Sequence, residues 1–212
     1  MTRRSFDDVT AERVARNLRE IRDEIGRDDV EIVAAVKYLS VDALGALAEA
    51  GLTTVGENRA QELEAKVAAH PGVFTWDFIG QLQSRKVRVL APLVRRIHSV
   101  ASDSALKELG KHGRDDLEIL VEINIAGEEG KAGIAPGDLA AFIERSPIAP
   151  AGLMTMPPRA EDPEDSRRWF AALRDLAEAH GLRHLSMGTT QDFAVAAQEG
   201  ATIVRIGTRL FT

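Results

Sequence analysis

The chain has 212 residues, 44% of them apolar and 28% charged, with a net charge of −6. That is enough chain for one large domain or two small ones, and the acidic balance suggests no general attraction to nucleic acid or membrane surfaces. It has no cysteine, which excludes disulfides, zinc–thiolate sites and thiol catalysis.

The first residues (MTRRSFDDVTAERV) lack the apolar stretch of a secretory signal, and no window approaches the length of a membrane helix. A cytoplasmic protein is the expectation. The spacing of apolar residues predicts an amphipathic helix from Asp7 to Ile25, capped by Ser5. The run Val30–Lys37, apolar apart from Glu31 and the closing Lys37, reads as a buried parallel strand. A helix over Val41–Ala50 stops at Gly51, and a short strand spans Thr53–Gly56.

The alternation then continues. A helix over Arg59–Ala69 precedes a strand at Trp76–Gly80. A helix from Ser84 to Leu90 precedes a strand at Arg96–Val100. A helix from Asp103 to His112 precedes Leu117–Asn124, and one from Gly137 to Arg145 precedes Ala151–Thr155. Pro163–His180 is a long helix before the strand Leu185–Gly188. Asp192–Glu199 is the last helix, before a strand at Ile203–Ile206. Eight strands separated by helices predict a parallel α/β protein, and the count favours a single-domain (β/α)8 barrel with an extra N-terminal helix. No glycine fingerprint follows the first strand, which argues against an open dinucleotide-binding sheet.

In such a barrel the C-terminal ends of the strands converge on the ligand face. Lys37 ends strand one, where it either points into water or, half-buried, presents an amine able to attack an aldehyde. Gly188-Thr189-Thr190 and Gly207-Thr208 follow strands seven and eight, the two loops that barrels use for phosphate. Thr190 is also a candidate helix cap. Arg205, on strand eight, needs a partner if it points inward. His98 reads as a core or rim histidine, and His180 with His184 lacks the shared helical face of a metal pair. Trp76, Phe78, Trp169 and Phe170 read as packing groups. An amine, a phosphate site and an arginine fit a ligand carrying both aldehyde and phosphate. That leaves a Schiff-base aldolase acting on a phosphosugar, or a protein holding pyridoxal 5′-phosphate (PLP).

The stretches VAAVKYLS, VGENRAQE, WDFIGQLQSRK, HSV, VEINIAGEEGKAGI, GLMTMPP, LSMGTTQDFAVAAQEG and TIVRIGTRLF resemble the pyridoxal phosphate homeostasis protein family. They occur in the family's order and cover nearly all of Ile32 to Phe211. The resemblance implies one barrel over residues 1–212, similar to the N-terminal domain of alanine racemase, with PLP held as an internal aldimine on Lys37. It implies that Arg205 faces the pyridine nitrogen, that Gly188, Thr190, Gly207 and Thr208 hold the phosphate, and that Asn58 and Met154 line the ring. The implied role is to buffer and deliver PLP and other B6 vitamers, with apo PLP-dependent enzymes as partners and a monomer or weak dimer as the state. No catalytic residue and no metal are assigned. A weak amino-acid racemase is the alternative, although the length leaves little room for the second domain that supplies the racemase with its second base. Thr190, Asp77, Arg85 and Gly130 depart from the family's usual residues, and these changes are expected to touch rim contacts or partner recognition rather than the tether.

Overall fold

A computed structural model describes Phe6 and residues 8–212 of the chain. Eight strands form one closed, all-parallel barrel in sequence order, β1 beside β2 through to β8 beside β1. They are β1 (Glu31–Ala35), β2 (Thr54–Glu57), β3 (Thr75–Phe78), β4 (Arg96–Val100), β5 (Glu118–Glu122), β6 (Gly152–Met154), β7 (His184–Thr189) and β8 (Ile203–Ile206).

The helices are α1 (Ala11–Ile25), α2 (Gly45–Glu49), α3 (Ala60–Ala69), α4 (Val87–Leu90), α5 (Asp103–His112), α6 (Leu139–Arg145), α7 (Arg167–Ala179), α8 (Phe193–Gln198) and α9 (Thr208–Phe211). Several predicted helices begin with a 3₁₀ turn, as at Asp42–Leu44, Ser84–Lys86, Pro136–Asp138 and Pro163–Ser166.

The N-terminal helix starts later than its sequence suggests. Ser5 and Asp7 lie outside the described residues. Thr10 is the cap of α1, its hydroxyl accepting from the Arg13 N–H at 3.3 Å. Strand one stops at Ala35, so Lys37 stands on the loop just past it. The closing helix α9 was not legible as periodicity because it is a single turn. It is pinned by Asn17 of α1, whose Nδ2 donates to the carbonyls of Leu210 and Thr212 at 3.2 and 2.9 Å.

Alternation along each strand divides the core in two. Outward residues such as Ile32, Ala34, Ile97, Val121 and Val204 join the helices in one continuous apolar shell. Inward residues Val33, Leu120, Met154 and Ile203 form a small separate cluster inside the barrel. Burying a side chain of this size contributes about 1.5–3 kcal/mol. At the N-terminal end of the barrel the filling is ionic. Arg96, 4% exposed, meets Glu31 at 2.9 Å, Asp77 at 3.4 Å and Glu118 at 2.6 Å, while Arg95 meets Glu31 at 2.8 Å and Asp77 at 2.9 Å. The apolar plug and the ion cluster close one end, and the strand C-termini open on a cavity.

Candidate functional site

The cavity at the C-terminal face measures about 720 Å³, within the range that encloses a small cofactor. Of the residues singled out in the sequence, Lys37, Asn58, Gly188, Thr190, Arg205, Gly207 and Thr208 all line it. Met154 does not. It points into the barrel beneath the site, 2% exposed, and Met156 two residues on reaches the cavity. The family resemblance implied Met154 at the ring; the loop after β6 instead brings Met156 to the mouth.

Lys37 is half-buried, with its Nζ 4.8 Å from the centre of the Tyr38 ring. Its backbone is braced from behind. Lys66 on α3, 3% exposed, donates to the Val36 carbonyl at 2.7 Å and to Glu57 Oε2 at 2.6 Å. Glu57, fully buried, uses its other oxygen to accept from the N–H groups of Asn58 (2.6 Å) and Arg59 (3.2 Å). One buried ion pair thus ties the loop carrying Lys37 to the loop carrying Asn58. Glu57 is legible as a strand-end residue, but its pairing with Lys66 appears only once the strand and helix are packed.

The loops after β7 and β8 are stitched together. Thr190 Oγ1 accepts from the Gly207 N–H at 3.2 Å. Thr190 is therefore not the cap of α8; that position belongs to Asp192, whose Oδ1 accepts from the N–H and hydroxyl of Thr189 at 2.7 and 3.2 Å. Gly188 takes a φ of +87°, and a Cβ there would stand 2.5 Å from the Cβ of Ala196. Glycine is what lets the strand turn away and the loop pass close over α8.

Arg205 is 5% exposed and, among the described residues, pairs with no carboxylate. Nη1 donates to the carbonyl (2.7 Å) and hydroxyl (2.5 Å) of Ser186, and Nη2 to the Thr155 carbonyl and the Met156 sulfur, both at 2.9 Å. Burial lowers its pKa to about 10, with Glu122 and Asp192 opposing that shift, so it keeps its proton at neutral pH. Among the described residues, Nε–H has no protein acceptor. Asn58 Oδ1 is buried without a partner. Asn58 and Arg205 both line the cavity, where their polar groups would meet a ring-sized polar ligand.

Of the positions that depart from the family's usual residues, Asp77 is not at the rim. It is fully buried inside the barrel. Burial would raise its pKa, but the hydrogen bond from His98 and the charges of His98, Arg95 and Arg96 outweigh that and hold it below the usual carboxylate value. Arg85 bonds Gln83 on the surface, and Gly130 sits in a loop at φ +72°. No group of three or more potential metal ligands occurs among the described residues.

A family model described as alanine racemase, N-terminal domain, matches residues 9–212. A pyridoxal phosphate homeostasis protein of Aquifex aeolicus is 38% identical over 94% of this chain and 96% of its own. Its namesake in Pseudomonas aeruginosa is 36% identical over 94% of this chain and 92% of its own. The structure of PipY from Synechococcus elongatus with PLP bound matches with a TM-score of 0.80 at 27% identity, covering 94% of this chain and all of PipY. Alanine racemase of Corynebacterium glutamicum, at 15% identity and a TM-score of 0.73, shares the fold over 95% of this chain and 61% of its own. Matched almost end to end at these identities, the chain belongs to the pyridoxal phosphate homeostasis proteins, a family built on the alanine racemase N-terminal domain.

Proposed function

We propose that this cavity binds PLP through Lys37, and that the protein buffers and delivers the cofactor in the cytoplasm without efficient catalysis of its own. The observation that carries the reading is the convergence of one lysine amine, the joined Thr190–Gly207 loops and an anchored arginine in a single cavity. Its setting is a fold whose relative PipY holds PLP.

When bound, PLP supplies an aldehyde that combines reversibly with an amine. Lys37 Nζ is the amine that lines the cavity. Thr190, Gly207 and Thr208 offer hydroxyl and backbone donors to a phosphate, with Gly188 giving the room. Arg205 donates a hydrogen bond through Nε and, keeping its proton, transfers none to an acceptor in the cavity. Asn58 presents an amide at the wall.

The carrier reading also draws on what the cavity offers as a base. Besides Lys37, its ionisable side chains among the described residues are Tyr38, Arg159, Asp192 and Arg205. Racemisation needs a second base across the ligand from the lysine. Tyr38 adjoins Lys37, Asp192 is engaged by Thr189, and a guanidinium offers donors but no base. The recipients would be apo PLP-dependent enzymes, with a monomer or weak dimer delivering PLP and related vitamers.

The test is the visible spectrum of protein mixed with PLP. An absorption band of protein-bound PLP, lost in Lys37→Ala, is expected. Incubation with single amino-acid enantiomers in heavy water then separates carrier from enzyme. Rapid α-deuteration with turnover would overturn the carrier reading.

A further inference from the structure

A buried line of hydrogen bonds leads away from Arg205 across the barrel interior. Arg205 Nη1 is 2.5 Å from Ser186 Oγ, which is 2.8 Å from His98 Nδ1, and His98 Nε2 is 3.0 Å from Asp77 Oδ2. Ser186, His98 and Asp77 are all fully shielded from solvent. They stand on β7, β4 and β3, so the line spans the barrel instead of following one strand.

The hydrogens along it follow from what each group can do. A guanidinium only donates, so Ser186 Oγ accepts from Arg205. The Asp77 carboxylate, held charged by its ion partners, only accepts, so His98 Nε2 carries the ring hydrogen. Burial holds the His98 pKa below its ordinary value, which leaves the ring neutral and Nδ1 as a lone pair. Ser186 then donates its hydroxyl hydrogen to that lone pair. Every donor points the same way, from Arg205 to Asp77. Hydrogen bonds aligned in this manner polarise and strengthen one another.

The consequence falls on Arg205. A free guanidinium presents a two-pronged edge suited to a carboxylate or phosphate. Here both terminal nitrogens are committed to the protein, and a single N–H remains. One N–H matches an acceptor with one in-plane lone pair, such as a pyridine nitrogen. We propose that Ser186, His98 and Asp77 are positioning residues that fix Arg205 for recognition of a ring nitrogen. The inference rests on the PLP reading above, and it assigns a task to three buried polar residues that touch no ligand.

The test compares PLP with its 1-deaza analogue, in which a C–H replaces the ring nitrogen. Wild type is expected to hold PLP about tenfold more tightly than the analogue, the value of one good hydrogen bond. In Ser186→Ala and His98→Phe the preference should shrink to about twofold or less, and Ser186→Thr, which keeps the hydroxyl, should restore it. A merely structural role would weaken both ligands alike, so variants that keep the tenfold ratio would overturn the proposal. Nitrogen-15 NMR of ligand-free wild type judges the line independently of any ligand. Nε2–H with bare Nδ1 at His98 is expected, and the opposite tautomer would overturn it. If wild type fails to bind PLP while the tautomer is as expected, the PLP reading and the ring-nitrogen role fall together, and the NMR result places that failure in the ligand assignment instead of in the buried line.

Discussion

Gly188 shows how much a single residue carries at this site. Its φ of +87° lies where side-chain-bearing residues are strained, and the space its Cβ would need belongs to Ala196. Gly188→Ala should cost about 2–4 kcal/mol from left-handed strain and overlap, read by urea unfolding, and should weaken PLP retention by moving the Thr190 loop. His98 sets a pH dependence. Unfolded, it takes up a proton as pH falls through about 6.5. Folded, its value is depressed by burial, despite the opposing hydrogen bond and charge of Asp77. The unfolded state therefore binds more protons below that point, and stability falls as pH drops. The slope is about 1.4 kcal/mol per pH unit for this group. Denaturant unfolding between pH 5.5 and 7.5 should show it, and His98→Phe should flatten it. The sequence exposed Gly188 and Arg205 because loop position and residue type together limit their use. It did not separate Met154 from Met156, since which of two nearby methionines reaches a cavity depends on where the strand ends.

At the scale of elements, the strand ends are held by contacts that no local pattern announces. Lys66 on α3 bridges Glu57 at the end of β2 to the Val36 carbonyl beside Lys37. Removing one partner of a buried pair strands the other charge. Lys66→Met should destabilise the fold by about 3–5 kcal/mol in urea unfolding, and should loosen the lysine loop enough to weaken PLP binding in what remains folded. The eight strands and most helices were legible because β-branched apolar runs alternate with amphipathic stretches and glycine stops. The boundaries were less so. Thr10 caps α1, where the sequence pointed to Ser5 and an earlier start at Asp7. Asp192 takes the N-cap position of α8 without a side-chain cap bond, while the Thr190 hydroxyl turns to the Gly207 N–H. Asp77 looked like a rim change, yet inward alternation on β3 puts it among Arg95, Arg96 and His98 in the barrel interior.

Over the whole molecule, charge is distributed against the average. The chain is acidic overall, yet its cavity is lined by Lys37, Arg159 and Arg205 against Asp192 alone. An anionic ligand is drawn to the mouth while the rest of the surface repels it. Screening by salt should reduce the association rate of PLP more than its dissociation rate, which stopped-flow absorbance at two ionic strengths would show. The closed barrel, plugged by ions at one end and by apolar side chains in the middle, opens the ends of its strands on the cavity. The central claim is that Lys37 is the covalent tether. Borohydride reduction of the PLP-loaded protein, followed by peptide mass measurement, tests it most directly. The account predicts a phosphopyridoxyl adduct on the peptide containing Lys37. An adduct confined to other lysines, with Lys37 unmodified, would contradict it.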